Sequence, residues 1–67
     1  MVFKENLKTI RKEKHISQEA LAKYLDVSIK TISHWETGYS EPSIAQLIQI
    51  ADFFDVSLDF LLGRTDI

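Results

Sequence analysis

The feature of this sequence that most constrains its fold is the serine that precedes each of four short segments with helical period. These serines are Ser17, Ser28, Ser43 and Ser57. A serine hydroxyl accepts a hydrogen bond from a free backbone N–H group in the first turn of a helix, so each serine predicts a helix start. The apolar residues that follow recur at helical rather than strand spacing. The pattern therefore predicts a chain of short helices joined by tight connections.

Five helices are predicted, at roughly 5–14, 17–25, 28–36, 43–54 and 57–62. Phe3 leads the first helix, and Gly38 and Gly63 are placed to end the third and the fifth in the left-handed conformation that glycine favours. A chain of 67 residues makes a single domain, here 1–67, and its 45% hydrophobic content suffices for one small core. The predicted fold class is all-α, a compact five-helix bundle.

The charge is unevenly distributed along the chain. The net charge is −2, but residues 1–35 carry seven basic and four acidic side chains, whereas residues 36–67 carry one basic and six acidic side chains. A basic half and an acidic half predict one face turned towards a polyanion and another turned away from it. An ordinary mixed surface is the alternative interpretation.

Several classes of function lack support in the sequence. The chain has no cysteine for disulfides or a thiolate metal site, and its two histidines, His15 and His34, lie nineteen positions apart without a metal-binding spacing. Its only two glycines are helix stops, so it has no glycine-rich phosphate loop. No signal peptide or membrane span is recognisable. We therefore expect a cytoplasmic protein that is not an enzyme and has no metal, cofactor or small-molecule substrate.

The segment from Ser17 to Gly38 is the most informative part of the chain. Two short helices separated by a turn of a few residues form a helix-turn-helix unit. Such a unit needs a small residue where its helices cross closely, and Ala22 occupies that place. Asp26 lies at the turn, where the backbone often needs a positive φ. The apolar residues predicted to fix the angle between the helices are Leu21, Leu25, Val27, Ile32 and Trp35.

These motifs resemble the XRE or phage-repressor helix-turn-helix family. The resemblance lies in Ser17-Gln18-Glu19-Ala20-Leu21-Ala22, in Val27 to Gly38, and in Leu47-Ile48-Gln49-Ile50-Ala51 and Val56 to Gly63. It covers nearly the whole chain and implies a fold of the lambda-repressor type. It also implies that Glu36 is a buried or half-buried partner of Arg11.

The resemblance further implies that the third helix lies in the major groove of double-stranded DNA. Gln18 would contact a phosphate from the start of the second helix, while Thr31, Thr37 and Tyr39 would reach the DNA backbone. Lys30 suits guanine, and Ser33 and His34 can hydrogen-bond several base edges. Ile29 would either contact a thymine methyl group or brace the turn. The predicted DNA-binding residues are Gln18, Ser28, Ile29, Lys30, Thr31, Ser33, His34, Thr37 and Tyr39.

The sequence departs from the family pattern at two places. Asp26 stands where the family favours glycine at the turn, at a cost on the order of 1 kcal/mol. Tyr39-Ser40-Glu41 stands where lysine or arginine is common after the glycine. Because basic residues there would contact phosphates, we expect weaker binding and a lower salt dependence per monomer than is usual for the family.

One such domain contacts few bases, so we expect a homodimer on a pseudo-palindromic operator. The apolar residues Ile48, Phe53, Phe60 and Ile67 either form a dimer seam along the fourth and fifth helices or pack in the core. The predicted function is sequence-specific DNA binding by a transcriptional regulator, most simply a repressor. The alternative is an antitoxin-like or adaptor module that keeps the fold but binds a partner protein. Gly63 and the residues after it could also lead into a longer regulatory region.

Overall fold

The computed structural model describes residues 2–64, and the architecture over that range is all-helical. The five helices are α1 (Phe3–Glu13), α2 (Gln18–Leu25), α3 (Ile29–Thr37), α4 (Ile44–Phe54) and α5 (Leu58–Leu62). The predicted all-α fold with five helices is confirmed. The first helix begins two residues before its predicted start at residue 5, because Phe3 is itself helical and is buried in the core.

All four predicted serine caps are present. The Ser17 hydroxyl oxygen accepts a hydrogen bond from the backbone N–H of Ala20 at 3.0 Å, and the Ser28 hydroxyl accepts one from Thr31 at 3.1 Å. Ser57 caps α5 in the same way. Ser43 forms a full capping box, because the side chain of Gln46 also accepts a hydrogen bond from the backbone N–H of Ser43 at 2.8 Å.

Each of the five helices ends in one turn with the same geometry. Residues with positive φ stand at or next to these ends: His15, Asp26, Gly38, Asp55 and Gly63. The N–H of the residue that follows each of them donates a hydrogen bond back into the last turn of the helix, as when Val27 donates to the carbonyl oxygen of Ala22 at 3.0 Å. This is the Schellman arrangement. The positive φ predicted for Asp26 is confirmed, at 59°.

Every helix contributes buried apolar residues to the core. Its largest fully buried members are Phe3, Leu7, Leu21, Ile32, Ile50 and Leu61. Helix α5 is tied to α1 by more than apolar contact, because the amide nitrogen of Asn6 donates to the carbonyl oxygens of Phe60 and Leu61, each at 3.2 Å. Among the helices described, none is long and apolar enough to cross a lipid bilayer.

Candidate nucleic-acid interface

Helices α2 and α3 pack against each other through the apolar residues that the sequence indicates. Ala22 and Trp35 are each 3% exposed and Ile32 is completely buried. The small side chain of Ala22 allows a close approach, and Trp35 is buried in the core that all five helices share. One side of α3 is therefore packed in the core, and its opposite side is free to present polar groups.

A buried ion pair anchors α3 to α1, as the resemblance implied. The guanidinium Nε of Arg11 donates to Oε2 of Glu36 at 2.6 Å, and Nη2 donates to Oε1 at 3.1 Å. The remaining Nη1 donates to the carbonyl oxygen of Ile16 at 2.9 Å, in the turn before α2. The side chains of Arg11 and Glu36 are only 11% and 3% exposed. This bidentate pair thus joins α1, the α1–α2 turn and α3 at one point.

The ion pair also shapes the electrostatics of α3. Glu36 is the only acidic residue in Ile29–Thr37, and it is buried and neutralised by Arg11. Lys30, at the other end of the helix, is exposed. The accessible side of α3 therefore carries a positive charge and no negative one, which suits contact with a polyanion.

The predicted DNA-binding residues at the start of α3 lie together in one turn. Ser28 and Lys30 are exposed, and Ile29 is 47% exposed rather than packed under the turn. Thr31 is half-buried, and its hydroxyl oxygen lies 3.0 Å from that of Ser28. A cation, an apolar side chain and hydroxyl groups are thus presented within a single helical turn.

The remaining predicted residues on and after α3 follow one or two turns later. Ser33 and His34 are half-buried, whereas Thr37 and Tyr39 are exposed, Tyr39 at 79%. The hydroxyl of Thr37 donates to the carbonyl oxygen of His34 at 3.3 Å. The rings of His34 and Tyr39 are in contact, with their centroids 4.5 Å apart and their planes at 44°. This contact between His34 and Tyr39 was not predicted from the sequence.

Gln18 has a structural partner that sequence reasoning missed. Its amide nitrogen donates to Oε1 of Glu36 at 3.1 Å, so Gln18 belongs to the Arg11–Glu36 network. That nitrogen carries a second hydrogen, and Gln18 is the first residue of α2, where backbone N–H groups are free. Its contact with a phosphate stays a prediction.

Lys4 is a second residue whose position was not predicted from the sequence, where it counted only as one of the basic residues of the first half. Its side chain lies along Gly38 at the end of α3, where a Cβ atom on the glycine would be 3.2 Å from the lysine Nζ. It lines an open cavity of about 130 Å³ together with Phe3, Trp35, Gly38, Ser40 and Glu41. No local sequence signal indicates this placement, because it depends on how α1 crosses α3. A cation therefore stands beside the loop whose own residues lack one.

The sequence of the chain is similar to those of known helix-turn-helix proteins. The helix-turn-helix family profile matches residues 7–61. The chain is 40% identical over 67 residues to the HTH-type transcriptional activator BcrR of Enterococcus faecalis. It is 41% identical over 57 residues to an HTH-type transcriptional regulator of Methanocaldococcus jannaschii, and the match covers 85% of this chain and 86% of that protein. It spans much less of other relatives, namely 33% of BcrR and 53% of a Bacillus subtilis regulator.

The fold is also similar to that of a solved repressor. The structure of the P22 c2 repressor protein in complex with a synthetic operator matches with a TM-score of 0.83 and 33% sequence identity, over 91% of this chain and 92% of that one. The shared region contains the α2–α3 unit and the helices that support it. The chain thus belongs to the helix-turn-helix family, and the XRE and phage-repressor resemblance drawn from its sequence is confirmed.

Proposed function

We propose that this chain is the sequence-specific, double-stranded DNA-binding domain of a transcriptional repressor, with α3 as the element that enters the major groove. The observation that carries the proposal is the accessible side of α3, which presents Lys30 while the only acid of the helix is buried on Arg11. The P22 c2 repressor, a protein of the same fold, has been solved with a synthetic operator. A regulator of this kind acts where the DNA is, in the cytoplasm, and needs no catalytic group.

The residues divide into two sets by chemistry. Lys30 and His34 supply hydrogen bonds to base edges, and the shorter side chain of Ser33 can both donate and accept one. Ile29 offers an apolar contact for a thymine methyl group. A second set serves the DNA backbone, because hydroxyl and amide groups position a protein on phosphates without reading sequence. That set comprises Gln18, Ser28, Thr31, Thr37 and Tyr39.

We also propose that the domain binds as a homodimer on half-sites about 34 Å apart, through α4 and α5. Ile44 and Ile48 on α4 are 73% and 47% exposed, which supports an apolar seam there. Phe53 and Phe60 fit the alternative of core packing better, because both are partly buried against the core. Ile67, the fourth residue predicted for the seam, lies outside the described residues.

The test of DNA binding is selection of duplexes from a randomised pool at two salt concentrations. We expect a paired half-site motif whose enrichment weakens with salt. Lys30→Ala should then lose about 1–3 kcal/mol of discrimination at one base pair of each half-site. Lys12→Ala, at an exposed position on α1, is the matched control and should leave the preferred sequence unchanged. Equal losses on selected and random duplexes for Lys30→Ala would restrict that residue to a phosphate contact.

The dimer has its own test. Ile48→Asp should shift sedimentation equilibrium towards monomer and weaken operator binding, while Gln49→Asp, at the neighbouring exposed position, should change neither. A wild-type protein that sediments as a monomer at high concentration, both with and without operator, would refute the seam.

A partner-protein module is the second candidate function. One observation favours it: the exposed loop after α3, Tyr39-Ser40-Glu41, has no basic residue of its own. In that case the same selection would give only weak, uniform binding that salt abolishes. An antitoxin-like or adaptor role would then replace operator binding as the conclusion.

A further inference from the structure

The turn that ends α3 differs from the turns that end α1, α2 and α4 in where its apolar side chain packs. In a Schellman turn, the residue after the left-handed position packs back onto the last turn of its helix. That residue is Ile16 after α1, Val27 after α2 and Val56 after α4, and each is partly buried against the hydrophobic core.

Tyr39 occupies the same place after α3, but its side chain is not buried in the core. Its N–H donates to the carbonyl oxygen of His34 at 2.9 Å, because Gly38 turns the chain back with a φ of 83°. Its ring nevertheless remains 79% exposed, and its aromatic contact is with His34. The residue at the apolar position of this turn therefore packs against a side chain of α3, His34, and not against the core.

The contact has the geometry of an attractive aromatic pair. The centroid separation of 4.5 Å lies at the short end of the range that such pairs prefer, and the tilt of 44° is intermediate between the stacked and the edge-to-face arrangements. Within residues 2–64, neither ring nitrogen of His34 is hydrogen-bonded to another protein group. The imidazole is thus held through its ring while its donor and acceptor atoms remain available.

We propose that Tyr39 is a positioning residue for sequence readout, which holds the His34 imidazole in one orientation before DNA arrives. This inference rests on the proposed function, since it assumes that His34 faces a base pair. Preorganisation of this kind favours binding because the ordering of the side chain is complete in the free protein. It assigns the Tyr39 ring a role separate from the phosphate contact expected of its hydroxyl group.

The first test examines the free protein. In NMR spectra, the ring protons of His34 should show ring-current shifts that persist in Tyr39→Phe and disappear in Tyr39→Leu. Leucine keeps an apolar side chain at the turn, so it separates loss of the ring from loss of the fold. His15, the only other histidine, serves as the internal reference in the same spectra. Unchanged His34 shifts in Tyr39→Leu would overturn the proposal.

The second test measures binding to single-base variants of the selected operator. His34→Ala identifies the base pair that His34 reads. Tyr39→Leu should reduce discrimination at that same base pair by up to about 12-fold, the limit set by the energy of an aromatic pair, and leave the other positions unchanged. Tyr39→Phe should match wild type in discrimination, whatever it loses in overall affinity. In His34→Ala/Tyr39→Leu, the second change should add nothing at this position.

Each outcome has one interpretation. Equal loss of affinity on every duplex for Tyr39→Phe and Tyr39→Leu would restrict Tyr39 to the phosphate contact and overturn the inference. A lower unfolding midpoint for Tyr39→Leu with unchanged discrimination would give the ring contact a purely structural role and overturn the inference. A wild-type protein without any sequence preference would refute the proposed function itself, and the inference with it, even if the NMR test showed the ring contact.

Discussion

The buried pair of Arg11 and Glu36 allows a quantitative test of how α3 is held in place. Replacing Glu36 with alanine removes both carboxylate oxygens from a guanidinium group that is only 11% exposed, and leaves it the single acceptor at Ile16. Breaking a buried ion pair in this way costs about 3–5 kcal/mol. A domain of this length has a free energy of unfolding of roughly 3–10 kcal/mol. We therefore expect Glu36→Ala to lose from about a third of the stability of the domain to all of it.

Most of that loss should come from the uncompensated charge rather than from the missing attraction. The double variant Arg11→Met/Glu36→Leu removes both charges and fills the space with apolar atoms of similar volume. It should be within about 1 kcal/mol of wild type, or more stable, because a buried pair roughly balances its own desolvation. Gln18 also loses its acceptor in either variant, but its half-buried amide can turn to water.

The assay is urea unfolding, followed by the fluorescence of Trp35 and by far-ultraviolet circular dichroism. Trp35 is the only tryptophan and is 3% exposed, so its emission reports directly on the loss of packing around α3. Coincident transitions and an unchanged denaturant slope would justify the comparison of free energies. A loss below about 1 kcal/mol for Glu36→Ala would contradict this prediction, because it would show that the buried Arg11 guanidinium does not need its partner.

Three further predictions concern helix ends and are measured by the same unfolding assay. Asp26→Gly should stabilise the domain by up to about 1 kcal/mol because glycine adopts positive φ without strain, whereas Asp26→Ala should destabilise it by about the same amount; the opposite order would contradict the strain argument. Ser43→Ala should cost about 1 kcal/mol through loss of the capping box, with faster amide exchange in the first turn of α4, and an unchanged midpoint would show that the cap is dispensable. Gly38→Ala should cost about 1–2 kcal/mol, since its φ is 83° and the new Cβ atom would meet the Lys4 side chain at 3.1 Å. Wild-type stability of that variant would mean that the turn relaxes easily.

The limits of the helices follow from interactions within a few residues of the chain. A serine hydroxyl finds the N–H three residues later, and a left-handed residue closes a turn onto the helix that precedes it, wherever the helix lies in the fold. For this reason the starts of α2 to α5 could be predicted from the sequence to within one residue, together with the end of α3 at Gly38 and the positive φ of Asp26. The start of α1 was missed because Val2 provides no side-chain cap, and burial of Phe3 extends the helix instead.

The nature of the candidate interface was also accessible from the sequence, through the spacing of Ala22, Ile32 and Trp35 and the resemblance that these motifs carry. The tertiary structure decided which polar groups meet. Gln18 reaches Glu36 across the α2–α3 crossing, Lys4 lies along Gly38 because α1 passes the end of α3, and Phe53 on α4 contacts Tyr24 on α2. Such contacts depend on the angles and distances between helices, which arise from the packing of the whole core and leave no local signal in the chain.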